Sequence, residues 1–248
     1  MPGRIRKLLS RALFKAAAVV GASRDADIAI LRDSYIELLG YINAGMLHQG
    51  NPYLFDYAIS LLPNDSPIIE IGAFCGLSTN VLTYLKHKHG AKNALVNCDK
   101  WGAGWADQAE PFGNFGLTNK DYREFSRDSY LHNVRMFSGA DLPFTIEKTS
   151  DEFFAAWTSS QPAEDVWGRH VALGGPVSFC YIDGNHSYDF VKRDFLNCDQ
   201  WLSIGGFVLF DDSVSPEWEV RLLMPEVLGT GRYKLVARNP NHLFQKIS

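Results

Sequence analysis

FCYIDGNHSYDFVKRDFLNCDQWLSIGGFVLFDDS, residues 179–213, contains two apolar runs that each end abruptly in acid. The run from Val177 to Ile182 is short and partly β-branched and stops at Asp183-Gly184, the pattern of a buried strand reaching its turn. Gly206 to Phe210 stops at Asp211-Asp212 in the same way. Between them Tyr188, Val191, Phe195 and Trp201 recur at near-helical spacing, which predicts a helix from His186 to Leu202 with Gly205-Gly206 as its stop signal. Strand, helix, strand with a right-handed crossover makes the strands parallel and sets Asp183, Asp211 and Asp212 at one carboxyl edge. Three like charges in one place need protons or a cation to offset them, and oxygen ligands suit a hard divalent ion. The same residues also allow Asp183 to cap a helix and Asp211-Asp212 to form a solvated turn.

The alternation extends towards the N-terminus. Strands are expected from Pro67 to Ile71, Ala94 to Cys98 and Phe144 to Glu147, with helices from Ser78 to His87, Asp121 to Phe137 and Ser150 to Trp157. Such βα alternation predicts an α/β fold with a doubly wound, mostly parallel sheet. The end differs: short alternating runs from Tyr233 to Ala237 and His242 to Lys246 flank Asn239-Pro240-Asn241, a hairpin signal that predicts an antiparallel last strand. Two helices precede the sheet, one within Asp25 to Leu47 with Asp25 or Asp27 as cap, the other from Pro52 to Leu62. The chain thus divides into an N-terminal helical segment, 1–64, and a catalytic-size α/β domain, 65–248.

Charge is unevenly spread. Residues 1–24 hold six Lys and Arg and no acid, against a net charge of −4 for the whole chain, which argues against a general nucleic-acid binder. Over residues 3–20, Ile5, Leu8, Leu9, Leu13 and Ala16 follow helical spacing beside a stripe of Arg4, Lys7, Arg11 and Lys15. Such a helix suits peripheral contact with an anionic membrane surface, or packing on its own domain or on a partner subunit in a homo-oligomer. No apolar run approaches the roughly 20 residues of a membrane span, and no cleavage site follows an apolar stretch, so a cytoplasmic location is expected. Cys75, Cys98, Cys180 and Cys198 lack metal-ligand spacing and fit reduced, packed thiols. The loop from Lys100 to Asn119 carries Trp101, Trp105, Phe112 and Phe115 and reads as a lid or substrate wall, with a subunit contact as the other use of such residues.

The first strand runs into IIEIGAFCGLST, residues 68–79. Glycine lets the backbone approach a ligand, and the helix that follows offers its positive end. Phe74 and Leu77 stand where GxGxxG would need glycine, and no lysine follows Gly76, so neither a dinucleotide fingerprint nor a phosphate loop is present. The spacing is ExGxxxG, and Asp99, at the end of the second strand, suits an acid that accepts from ribose hydroxyls.

The order EIGAFCGLST, CD, KTSDEFF, YIDGNHSYDFVKRDF and GGFVLFDDS resembles the class I S-adenosylmethionine-dependent methyltransferases, in particular the branch with sugar and natural-product O-methyltransferases. The resemblance covers about residues 65–248 and implies a Rossmann-like, seven-stranded sheet with a reversed last strand. It implies that S-adenosylmethionine is held by Gly72 and Gly76, with Ser78 nearby, at its methionine portion, by Asp99 at its ribose and by Ser150 near its adenine, with Glu70, Ala73 and Asp183 also among the cofactor-binding residues. It further implies that metal-dependent members bind Mg through acids matching Asp183, Asp211 and Asp212, with a small-molecule or sugar acceptor. Some sugar methyltransferases carry an acid where this chain has Asn185, so His186 is the expected general base, helix capping being its competing role. A metal-independent enzyme and a nucleoside-binding protein without turnover remain open alternatives.

Overall fold

A computed structural model of the chain describes residues 28–102, 116 and 118–248. The expected basic helix over 3–20 and most of the 100–119 loop lie outside the described residues. In chain order the elements begin with α1 (Ser34–Ile42), α2 (Asn51–Ser60), β1 (Ile68–Ile71), α3 (Leu77–His89), β2 (Leu95–Cys98) and α4 (Asn119–Phe137). There follow β3 (Phe144–Ile146), α5 (Ser150–Thr158), β4 (Pro162–Glu164), β5 (His170–Ala172) and β6 (Val177–Ile182). The chain ends with α6 (Tyr188–Trp201), β7 (Leu202–Phe210), α7 (Val220–Gly229), β8 (Tyr233–Arg238) and β9 (His242–Lys246).

Seven strands form one sheet in the order β3-β2-β1-β6-β7-β9-β8, and β4 and β5 make a separate hairpin. β9 runs antiparallel to both β7 and β8, so the antiparallel last strand lies between them. Side chains alternate across the strands and split the core in two. Ile69, Ile71, Val96, Cys98, Cys180 and Val208 pack under α5, α6 and α7, with Phe153, Trp157, Phe195 and Val227. Ile68, Leu95, Phe179, Phe207 and Leu243 pack on the other face with Leu39 of α1, Leu54 and Phe55 of α2 and Leu82 of α3. Strands buried on both faces are nearly all apolar, which is why they read as continuous runs. The register pairs Ile71 with Ile182 and Ile182 with Phe210, so the residues that follow, Gly72, Asp183 and Asp211, line up at one edge.

Several expected boundaries are corrected. The first helix is capped by Asp33, whose carboxylate accepts from the Tyr35 and Ile36 N–H groups, and it begins at Ser34 rather than at Asp25 or Asp27. Gly205-Gly206 does not stop the helix: α6 ends at Trp201, and the glycines sit inside β7, where the pairing with β6 shifts register. Gly205 has φ +84°, and a Cβ on Gly206 would come 2.8 Å from the Ser178 carbonyl oxygen, so the irregular register needs glycine there. Helix α7 and the β4–β5 hairpin were not expected. Pro225 inside α7 hides the helical spacing of Val220, Leu223, Met224 and Val227. Among the described residues no helix is long and apolar enough to cross a membrane, and all four cysteines are free and buried.

Candidate active site

The turn after β1 takes left-handed backbone at Gly72 (φ +84°), Phe74 (φ +44°) and Gly76 (φ +88°). A Cβ on Gly72 would stand 2.1 Å from the Asp183 carbonyl oxygen, so the glycine turn and the acid loop after β6 touch through their backbones. Gly76 starts α3 without a side-chain cap, which leaves that helix end to the turn itself. Asp99 braces the turn from β2. One carboxylate oxygen accepts from the Ala73 and Phe74 N–H groups, both at 2.8 Å, and the other from the Trp101 N–H at 2.7 Å. Burial raises its pKa in spite of those donors. Trp101 in turn donates from Nε1 to the Phe74 carbonyl at 2.7 Å.

Glu70 lies below the turn, fully buried, and accepts from the Thr79 hydroxyl at 2.6 Å. Burial pushes its carboxyl up to about 8, against the hydrogen bonds from Ser78 and Thr79. Ser78 is buried in the first turn of α3. Ser150 is the first residue of α5, behind a Thr149–Glu152 capping box. Its hydroxyl bonds to Asp194, whose carboxyl burial pushes up to about 6.

The acid corner is one connected network. Asp183 accepts from the Tyr181 hydroxyl at 2.9 Å and faces His186 Nε2 at 3.3 Å. Asp212, in left-handed backbone (φ +48°), faces His186 Nδ1 at 3.2 Å. The imidazole therefore lies between two carboxylates; burial opposes its charge, but the bonds to Asp183 and Asp212 overcome this and push its pKa up to about 10. The Trp218 ring packs against it edge-on, with centroids 5.1 Å apart. Asp211 is 4% exposed, and its Oδ1 accepts from Asn51 Nδ2 at 2.5 Å and from Asn241 Nδ2 at 2.9 Å. Burial and the neighbouring Asp183 raise the Asp211 pKa well above the usual carboxylate range.

One ligand atom from each of Asp183, His186 and Asp211 lies within 4.8 Å of the others, a set that can hold a cation. Asp212, expected among the metal ligands, is turned onto the histidine. Asn51, Tyr181 and Asn241 were not expected at the site. Asn51 reads as part of a helix opening at Pro52, and Asn241 as part of a hairpin turn; a polar residue in the otherwise apolar run around Tyr181 was the one local signal. A cavity of about 910 Å³ between Arg127, α5 and β4 is lined by none of the site residues, so volume alone would misplace the chemistry.

The chain matches the model of a family described as a methyltransferase domain over residues 69–213. No curated protein matches the sequence. Among solved structures, it is similar to the SAH-bound methyltransferase PaMTH1 of Podospora anserina at 13% identity, with a TM-score of 0.55 and coverage of 94% of this chain and 96% of that one. It is also similar to the O-methyltransferase TomG of Streptomyces achromogenes, involved in tomaymycin synthesis and in complex with SAM, at 13% identity and a TM-score of 0.53, covering 90% and 94%. An O-methyltransferase of Bacillus cereus in complex with SAH gives 12% identity and a TM-score of 0.54, with coverage of 90% and 94%. At such identities the likeness establishes a shared fold.

Proposed function

The chain belongs to the methyltransferase-domain family, and we propose that it transfers the methyl group of S-adenosylmethionine to a hydroxyl of a small-molecule or sugar acceptor. The observation that carries this reading is the backbone contact between the Gly72 turn and Asp183, which brings the cofactor end and the acid corner together at one sheet edge. TomG and PaMTH1, solved with SAM and SAH, support the cofactor.

In this reading Gly72, Ala73 and Gly76 admit the methionine portion of the cofactor, and Asp99 both braces the turn and faces the ribose. Methyl transfer from a sulfonium needs an in-line nucleophile, so holding the acceptor oxygen against the methyl group supplies much of the rate. His186, held between Asp183 and Asp212 and walled by Trp218, takes the acceptor proton in its neutral form, which a cation on the neighbouring carboxylates would favour by offsetting their charge. The donor set fits a hard divalent ion: the Asp183 and Asp211 carboxylates converge beside His186, and two amides already occupy one oxygen of Asp211. When bound, such an ion lowers the pKa of a coordinated hydroxyl. A metal-independent variant of the reading has its own support, because His186 can itself neutralise Asp183 and Asp212 as an imidazolium; in that variant it stands in for the cation and is not the base.

Transfer of isotope-labelled methyl from S-adenosylmethionine to catechol and sugar acceptors, with magnesium and with a chelator, tests the proposal. Alkali-stable label on oxygen is expected. Label found only on nitrogen or carbon would overturn the acceptor class, and full activity in chelator would select the metal-independent variant.

A further inference from the structure

The residues that fix Asp211 come from outside the segment that matches the family. Asn51 opens α2, ahead of β1, and Asn241 is the last residue of the turn between β8 and β9. Their amides bond to each other, with Asn241 Nδ2 donating to Asn51 Oδ1 at 2.9 Å, and both donate to the same oxygen of Asp211. Asn51 Nδ2 also reaches the Tyr181 hydroxyl at 3.3 Å, which donates to Asp183. Asn241 Oδ1 accepts from the Ser213 N–H at 3.1 Å. Asn51 and Asn241 are buried, and every polar atom of both amides is engaged.

We propose that Asn51 and Asn241 are positioning residues of the acid corner, which tie up Oδ1 of Asp211 and so present its other oxygen alone to a divalent cation. This rests on the cation reading above. The N-terminal segment is seated for the purpose. Asn239 donates from Nδ2 to the Ala29 and Gly50 carbonyls at 2.7 and 3.0 Å and accepts from the Ala29 N–H at 2.8 Å. A Cβ on Gly50 would stand 1.9 Å from the Asn239 carbonyl oxygen, so glycine is what lets the segment lie against the hairpin turn. Further back, Asn43 donates to the Cys75 carbonyl in the glycine turn at 3.2 Å. The stretch from Asn43 to Asn51 thus runs from the glycine turn to the acid corner as part of the site.

The test is Mn²⁺ titration of the chelator-treated protein, followed by electron paramagnetic resonance, for wild type, Asn51→Ala, Asn241→Ala, Asn239→Ala and Asp211→Asn, with thermal unfolding of each. Loss of a residue that orients a metal ligand typically weakens affinity about 10- to 100-fold. Asn51→Ala and Asn241→Ala are expected to weaken Mn²⁺ by that factor, and Asp211→Asn to abolish the site. Asn239→Ala unfastens the same segment without touching Asp211; it is expected to unfold at lower temperature yet keep Mn²⁺ affinity within about threefold of wild type, a spread below the 10-fold minimum set for a positioning residue. Wild-type affinity in both folded asparagine variants, or an equal loss in all three, would overturn the positioning role. No Mn²⁺ binding by wild type would instead overturn the cation reading and the positioning role with it. Should Asn51→Ala fail to fold, Asn241→Ala alone decides.

Discussion

Replacing Glu70 by glutamine separates the shape of that side chain from its charge. One carboxyl oxygen accepts from Thr79, while the other and Oδ1 of Asn97 are both buried without a partner. Glu70 and Asn97 are cross-strand neighbours in the β1–β2 register and share a face of the sheet. A proton on Glu70 removes the cost of burying its charge. In the unfolded chain the carboxyl keeps its ordinary value of 4.5, whereas in the fold burial pushes it up to about 8. Between those values the folded state holds a proton that the unfolded chain has lost, so stability falls as pH rises. At about 1.4 kcal/mol per pKa unit, the loss between pH 6 and pH 8 is about 2 kcal/mol. Glutamine keeps an acceptor for Thr79 and does not titrate. Urea denaturation of wild type and Glu70→Gln at pH 6 and pH 8 reads the difference: relative to wild type, the variant gains about 2 kcal/mol over the interval. Parallel pH dependence of the two proteins would refute the buried proton.

Two further outcomes follow from the site. In chelator-treated protein, the hydrogen bonds to Asp183 and Asp212 hold His186 protonated, with its pKa pushed up to about 10 against burial, so its ring resonances should stay those of the imidazolium through pH 8. A midpoint near 6.5 in an NMR titration would show that the two carboxylates do not hold it. Trp101→Phe removes the Nε1 bond to the Phe74 carbonyl but keeps the ring against Tyr130; with one hydrogen bond worth about 1 kcal/mol, S-adenosylmethionine should bind about fivefold more weakly by calorimetry. Unchanged affinity would mean that Trp101 plays no part in setting the turn.

The parallel strands were legible because they are buried on both faces and read as apolar runs with acid or glycine at their ends. The same property placed Gly72, Asp99, Asp183 and Asp211 at one edge, since register and crossover handedness leave little choice. Short-range patterns were weaker guides. Asp33, not an earlier aspartate, caps α1, and Pro225 concealed α7. The side chains that complete the acid corner were not legible at all. Asn51, Tyr181 and Asn241 lie on different elements, 190 residues apart at the extremes, and meet only once the sheet is assembled. Nor could spacing tell that Asp212 would bond to His186, because that depends on the left-handed backbone at Asp212.

Cofactor binding at the Gly72 turn is the premise of the proposed reaction. Calorimetric titration of S-adenosylmethionine into the purified protein, with NAD titrated in parallel, is the decisive measurement. Saturable binding of S-adenosylmethionine, weakened when Asp99 is replaced by alanine and with no heat from NAD, is the predicted result. An absence of S-adenosylmethionine binding by folded wild-type protein would contradict the reading of the Gly72 turn and the proposed reaction together.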